Sequence, residues 1–149
     1  MRFVCGECGG EYETTDDDCF AQFDRLLALD HSWLEPWGSR HGLAFAAFAL
    51  QHPLNPRFAS SLDAAWIALC SVYLLGKSQN YVFRTLRSVD LGLLKGAGIP
   101  KRPSVPLAKP RVSIHDLKDF ESTTYAHRLD DWCRATLHAW GAKVPTGSV

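Results

Sequence analysis

Apolar positions along this chain recur at helical rather than strand spacing. Phe20, Phe23, Leu26 and Leu27 fall three to four residues apart, which predicts a helix from about Cys19 to Leu29 with one buried face. Asp16, Asp17 and Asp18 stand before it, where carboxylates cap free N–H groups and meet the positive end of the helix dipole. His31 to Arg40 holds Pro36, Gly38 and two tryptophans, and reads as a loop. His41 to Gln51 is apolar on nearly every face through Leu43, Phe45, Phe48 and Leu50, so this helix is expected at the centre, ended by Pro53. A third helix is predicted from about Ser61 to Leu75 on the stripe Leu62, Trp66, Leu69 and Tyr73, with Gly76 as its cap. A fourth, less regular, runs from about Gln79 to Leu94. Pro100, Pro103, Pro106 and Pro110 then enforce an extended crossing of the surface. Ser113 and Asp116 have capping-box spacing for a short helical turn. The last helix is predicted from about Thr123 to Trp140, with Leu129, Trp132, Cys133, Leu137 and Trp140 inward. The one strand signal is a small ribbon around Cys5 to Glu13.

The expected fold class is therefore all-α: a compact bundle of about five helices with a short N-terminal CxxC knuckle. We read residues 1–149 as a single domain. Residues 1–18 form the knuckle, 19–96 the helical core, 97–112 the proline-rich segment and 113–149 the C-terminal helices.

Composition narrows the function classes. Of 149 residues, 46% are hydrophobic, enough for one well-buried core. Sixteen basic side chains balance sixteen acidic ones, which argues against broad electrostatic binding to nucleic acid or to an anionic membrane. No stretch approaches the ~20 apolar residues of a membrane-spanning helix. Met1-Arg2-Phe3-Val4-Cys5 carries no apolar signal region, so a cytosolic protein is expected. Five cysteines in that compartment are expected to be thiols or metal ligands rather than disulfides.

Cys5-Gly6-Glu7-Cys8-Gly9-Gly10 places two thiolates on one side of a tight turn, the arrangement of half a tetrahedral zinc site. A redox dithiol would open a helix after a strand, and this motif is followed by glycines instead. Cys19 supplies a third sulfur at a predicted helix N-terminus, where the dipole favours a thiolate. Cys19 to Asp30 and His41 to His52 share one spacing, about three helical turns or ~16 Å. A short loop makes the two helices antiparallel, so Cys19 is expected beside His52 and Asp30 beside His41. Cys5, Cys8, Cys19 and His52 are thus the expected ligands of a structural Zn2+. His41 or water in the fourth place, and iron in place of zinc, stay open as alternatives. Cys70 and Cys133 fall on apolar faces and read as core thiols.

At the other end, Asp30 and His41 would form a carboxylate–imidazole pair. Such a pair serves acid–base catalysis, since the acid fixes which ring nitrogen carries the proton, and serves equally as a structural contact. Trp33 and Trp37 are expected to cap the bundle there. His115, His127 and His138 read as solvated or core-edge imidazoles. Lys101, Arg102, Lys109 and Arg111 make a modest basic strip among the prolines, the one handle for nucleic acid.

Cys5-x-x-Cys8-Gly, then Cys19, then His41, then Gln51-His52-Pro53 resembles a family of small bacterial proteins built on a domain of unknown function. The stretch from Asp131-Trp132-Cys133 to Ala139-Trp140 is similar to that family's last helix. Phe48 stands where the family pattern has tyrosine, and Asp30 where it has glutamate. The resemblance implies a metal-binding bacterial cytosolic protein and carries no activity with it. On the residues, the leading expectation is a zinc-stabilised interaction or regulatory module with a protein or small-molecule partner. The rival is an enzyme, using either Asp30 and His41 or an open zinc position with His52 as a proton shuttle.

Overall fold

In a computed structural model, residues 2–87 and 98–145 are described. The chain opens with two antiparallel strands, β1 (Phe3–Val4) and β2 (Glu11–Tyr12), with Phe3 opposite Tyr12 and Val4 opposite Glu11. Between them the cysteine knuckle is closed by two backbone bonds of 2.9 Å, Cys5 N–H to Gly10 O and Gly9 N–H to Cys5 O. Gly9 takes the left-handed conformation this closure requires, with φ of 76°.

Five helices follow among the described residues: α1 (Cys19–Ser32), α2 (His41–Gln51), α3 (Leu62–Tyr73), α4 (Gln79–Arg87) and α5 (Tyr125–Ala139). Short 3-10 turns occupy Pro56–Phe58 and Ile114–Phe120. Among the described residues the fold is helical, with only the two-stranded ribbon beside it. Asp18 caps α1 by accepting from Ala21 N–H at 2.8 Å. The helix runs three residues beyond the expected Leu29, because Trp33 adopts a left-handed conformation and its N–H turns back to Asp30 O. Ser113 and Asp116 form the expected capping box at the head of 114–120. The expected continuation of α4 from 88 to 94 lies outside the described residues.

Helix α2 is the centre. From Leu43 to Gln51 only Phe45 is less than fully buried, and the helix packs chiefly against α3 and α5. Its alanines at 44, 46, 47 and 49 let those neighbours approach closely. Phe48 stacks on Phe23 of α1 with centroids 4.1 Å apart, and Phe20 meets Phe48 edge-on at 5.1 Å. Burying such a ring fully is worth roughly 1.5–3 kcal/mol.

The C-terminal end of α2 leaves carbonyls without helical partners, and side chains supply the donors. Trp140 Nε1 donates to Leu50 O at 2.9 Å, and His52 Nδ1 donates to Phe48 O at 2.9 Å. Gln51 Nε2 reaches Val112 O at 2.7 Å and Thr136 Oγ1 at 2.9 Å, tying the proline-rich segment and α5 to this end. The described part of that segment, 98–112, forms no helix or strand and lies along the helices. Trp66 Nε1 donates to Pro100 O, and Leu107 and Ala108 N–H both donate to Ala139 O.

Candidate metal centre

The antiparallel pairing of α1 and α2 brings four side chains together at one end of the hairpin. One ligand atom from each of Cys5, Cys8, Cys19 and His52 falls within 4.8 Å of every other. Cys8 Sγ and Cys19 Sγ are 3.5 Å apart. In a tetrahedral zinc site with Zn–S bonds of about 2.3 Å, neighbouring sulfurs stand about 3.8 Å apart, so this spacing fits such a metal with little movement.

Each ligand is positioned by local structure. Cys8 N–H points at Cys5 Sγ at 3.5 Å and Gly10 N–H at Cys8 Sγ at 3.3 Å, donors that favour charge on the sulfurs. Cys19 is the first residue of α1, at the positive end of its dipole. His52 follows α2 directly. Its Nδ1 is committed to Phe48 O, which leaves Nε2 as a lone-pair nitrogen. That Nε2 is buried and has no hydrogen-bond partner. An orphaned buried nitrogen facing three thiols costs free energy unless a cation or a proton fills the gap. The donor set and this orphan therefore fit a divalent, thiophilic metal.

The same geometry explains the proton affinities of Cys5, Cys19 and His52. Hydrogen bonds from Cys19 and Cys8 hold Cys5 far below the usual thiol range, while the proton they share stays on Cys19 and raises it. Burial alone would push His52 down. The adjacent Cys5 and Cys8 sulfurs outweigh it, and the ring is pushed up to about 10. The cluster thus demands positive charge beside its sulfurs, as a proton or as a metal ion.

One neighbour was not anticipated. His115, read from sequence as a solvated or core-edge ring, places Nε2 3.4 Å from Cys19 Sγ. Burial lowers its proton affinity, and its Nε2 lies within hydrogen-bond reach of the Cys19 sulfur. It is wedged by Tyr12, stacked at 5.5 Å, and by Gly10, where a Cβ would stand 2.6 Å from its Cδ2. The only local hint was the Ser113–Asp116 capping box that sets its direction.

Glu7 at the knuckle tip accepts from Leu54 N–H at 2.7 Å, and Lys109 Nζ donates to Gly6 O and Glu7 O. Two of the four basic residues of the proline-rich strip are therefore engaged structurally, since Arg102 pairs with Asp63 at 2.9 Å. His127 is exposed beside Asp131, and His138 is exposed on α5.

At the opposite end of the hairpin, Asp30 Oδ2 and His41 Nδ1 are 3.1 Å apart. The two expected end-pairs, Cys19 with His52 and Asp30 with His41, are both present in space. Trp37 is buried against Tyr125 at 4.5 Å, whereas the Trp33 ring is 71% exposed and does not cover the end of the bundle as expected. Cys70 and Cys133 are buried, as expected for core thiols.

A helical protein whose N-terminal cysteine knuckle meets a helix hairpin in a Cys3His cluster is the class these features define. The chain belongs to the family of unknown function DUF5946, whose family model matches residues 4–141. No curated protein and no solved structure matches it. No helix among the described residues is long and apolar enough to cross a membrane.

Proposed function

We propose that this is a small bacterial cytosolic protein in which zinc, held by Cys5, Cys8, Cys19 and His52, is a structural staple for an interaction or regulatory module. The observation that carries the reading is His52 Nε2, buried, unpartnered and set among three cysteine sulfurs. A Cys3His set closes a tetrahedral sphere and leaves no position for substrate, which is how structural sites differ from catalytic ones. Its soft, thiolate-rich donors select zinc over hard cations. The consumption of Arg102 and Lys109 in intramolecular contacts, with a net charge of zero, favours a protein or small-molecule partner over nucleic acid.

Elemental analysis of the purified protein beside His52→Ala and His41→Ala variants tests this. One zinc per chain is expected, lost with His52→Ala and kept with His41→Ala. Zinc retained in a folded His52→Ala protein would overturn the closed site and put an open, catalytic coordination position in its place.

A further inference from the structure

The end of the hairpin far from the cysteines carries a second built site. Asp30 is 4% exposed, yet it is an ionisable carboxyl with two donors arranged around it. Gly38 N–H donates to Oδ1 at 2.9 Å, and His41 Nδ1 meets Oδ2 at 3.1 Å. The loop is shaped to make this possible. Gly38 sits at φ of 89°, where a Cβ would stand 2.9 Å from Asp30 O, and Trp33 is left-handed at φ of 55°. Non-glycine residues in that region cost free energy, and such costs concentrate at binding and catalytic sites.

The carboxylate fixes the tautomer of His41. With the proton on Nδ1, the Nε2 lone pair is free to accept, and no described residue donates to it. The ring is 45% exposed and stands in a cavity of about 850 Å3. Leu27, Trp33, Phe83 and Leu86 supply apolar walls, with Gln79 and Asn80 at the side. This volume is within the range of small-molecule sites, which combine apolar walls with a few placed polar groups. The Trp33 ring lies over Gly38, where a Cβ would stand 2.7 Å from its Cε3, and forms one wall of this cavity while remaining 71% exposed.

We infer that the Asp30–His41 cavity binds a small molecule with an apolar, aromatic-sized body and a hydroxyl, the hydroxyl donating to His41 Nε2. Asp30 is the positioning residue: it holds the ring as an acceptor. The inference is independent of the metal, which lies at the other end of the hairpin.

The test is a two-dimensional NMR titration of the purified protein with 4-ethylphenol and with 1-ethyl-4-fluorobenzene, which is close in shape and lacks the donor. Saturable shifts at Trp33, Phe83 and Leu27 are expected, with affinity about tenfold higher for the phenol, the size of one hydrogen bond. Asp30→Asn presents an amide donor to Nδ1, moves the ring proton to Nε2 and should abolish the preference. His41→Asn keeps a donor near the Nδ1 position, removes Nε2 and should do the same if Asp30→Asn fails to fold. Metal content should be unchanged in both, so failure here is separable from failure of the zinc site. Equal affinity for the two compounds, shifts mapping outside the cavity, or no saturable shift would each overturn the inference.

Discussion

Truncating His52 to alanine removes packing and a metal ligand together, and the two losses can be measured apart. The imidazole lies between Phe48, with centroids 4.2 Å apart, and Phe20 at 5.7 Å, and it holds Phe48 O through Nδ1. Emptying a buried ring-sized space costs about 2–3 kcal/mol, scaled from large-to-small core substitutions. The lost hydrogen bond adds about 1 kcal/mol. That part is paid whether or not metal is present. In the zinc-loaded protein the variant also forfeits binding: at free zinc about 1,000-fold above Kd, linkage supplies about 4 kcal/mol. For a chain of this length each kcal/mol shifts Tm by about 2–4 °C. His52→Ala should therefore lower Tm by roughly 6–16 °C in chelator and by about twice as much in zinc. Calorimetric melts of wild type and variant, each with saturating zinc and with chelator, provide the comparison. An equal drop under both conditions would refute His52 as a ligand, however large the drop.

The other expectations concern single features. Cys5→Ser and Cys8→Ser should each lose the metal and lower the melting midpoint of the whole chain, read by elemental analysis and circular dichroism; unchanged melting in both would contradict the staple. Gly42→Ala should force α4 away from α2, since its Cβ would stand 2.7 Å from the Phe83 ring; a loss of about 1–3 kcal/mol in denaturant titrations is expected. Burial pushes the Cys70 and Cys133 thiols up to about 12. They should resist iodoacetamide at pH 8 in the native protein, while the partly exposed Cys5, held low by its neighbours, reacts once a chelator is added, with mass spectrometry counting the adducts. The sign for stability follows: these two thiols are neutral in both states below about pH 9, and the unfolded chain alone loses their protons above it. Their contribution should thus fall as pH rises from 9 towards 12, visible as a declining denaturation midpoint.

Helix periods and end signals made α1, α2, α3 and α5 readable, because each buries an apolar face whose spacing is local. The pairing at both ends of the α1–α2 hairpin was equally legible, since matched eleven-residue spacings on antiparallel helices leave little freedom in what meets what. What lay beyond reach depends on long-range chain paths. His115 meets Cys19 across 96 residues only because the proline-rich segment lies along α5 and delivers the 114–120 turn to the start of α1. No spacing encodes that route. The division of the two tryptophans was hidden for another reason. Trp33 turns outward because it ends α1 in a left-handed conformation, a choice made by the Asp30–Gly38 contact rather than by hydrophobicity.

The position of the Cys3His cluster says what a metal held there would contribute. Residues 2–18 bury little apolar surface of their own: Cys8 and Gly10 are the buried positions, and Val4 is 59% exposed. A ribbon of two-residue strands is not independently stable in water. The knuckle is joined to the rest through Glu7, Lys109, the packing of Tyr12 and Gly10 on His115, and the cluster, which alone ties it to both helices of the hairpin. A cross-link from Cys5 to His52 closes a loop of several tens of residues, and loops of that order lose about 4 kcal/mol of unfolded-state freedom. The helices α2, α3 and α5 have a continuous core and do not need it. A metal ion held there would stabilise the chain where the sequence supplies no hydrophobic alternative, by fixing the knuckle and the start of α1 against the end of α2.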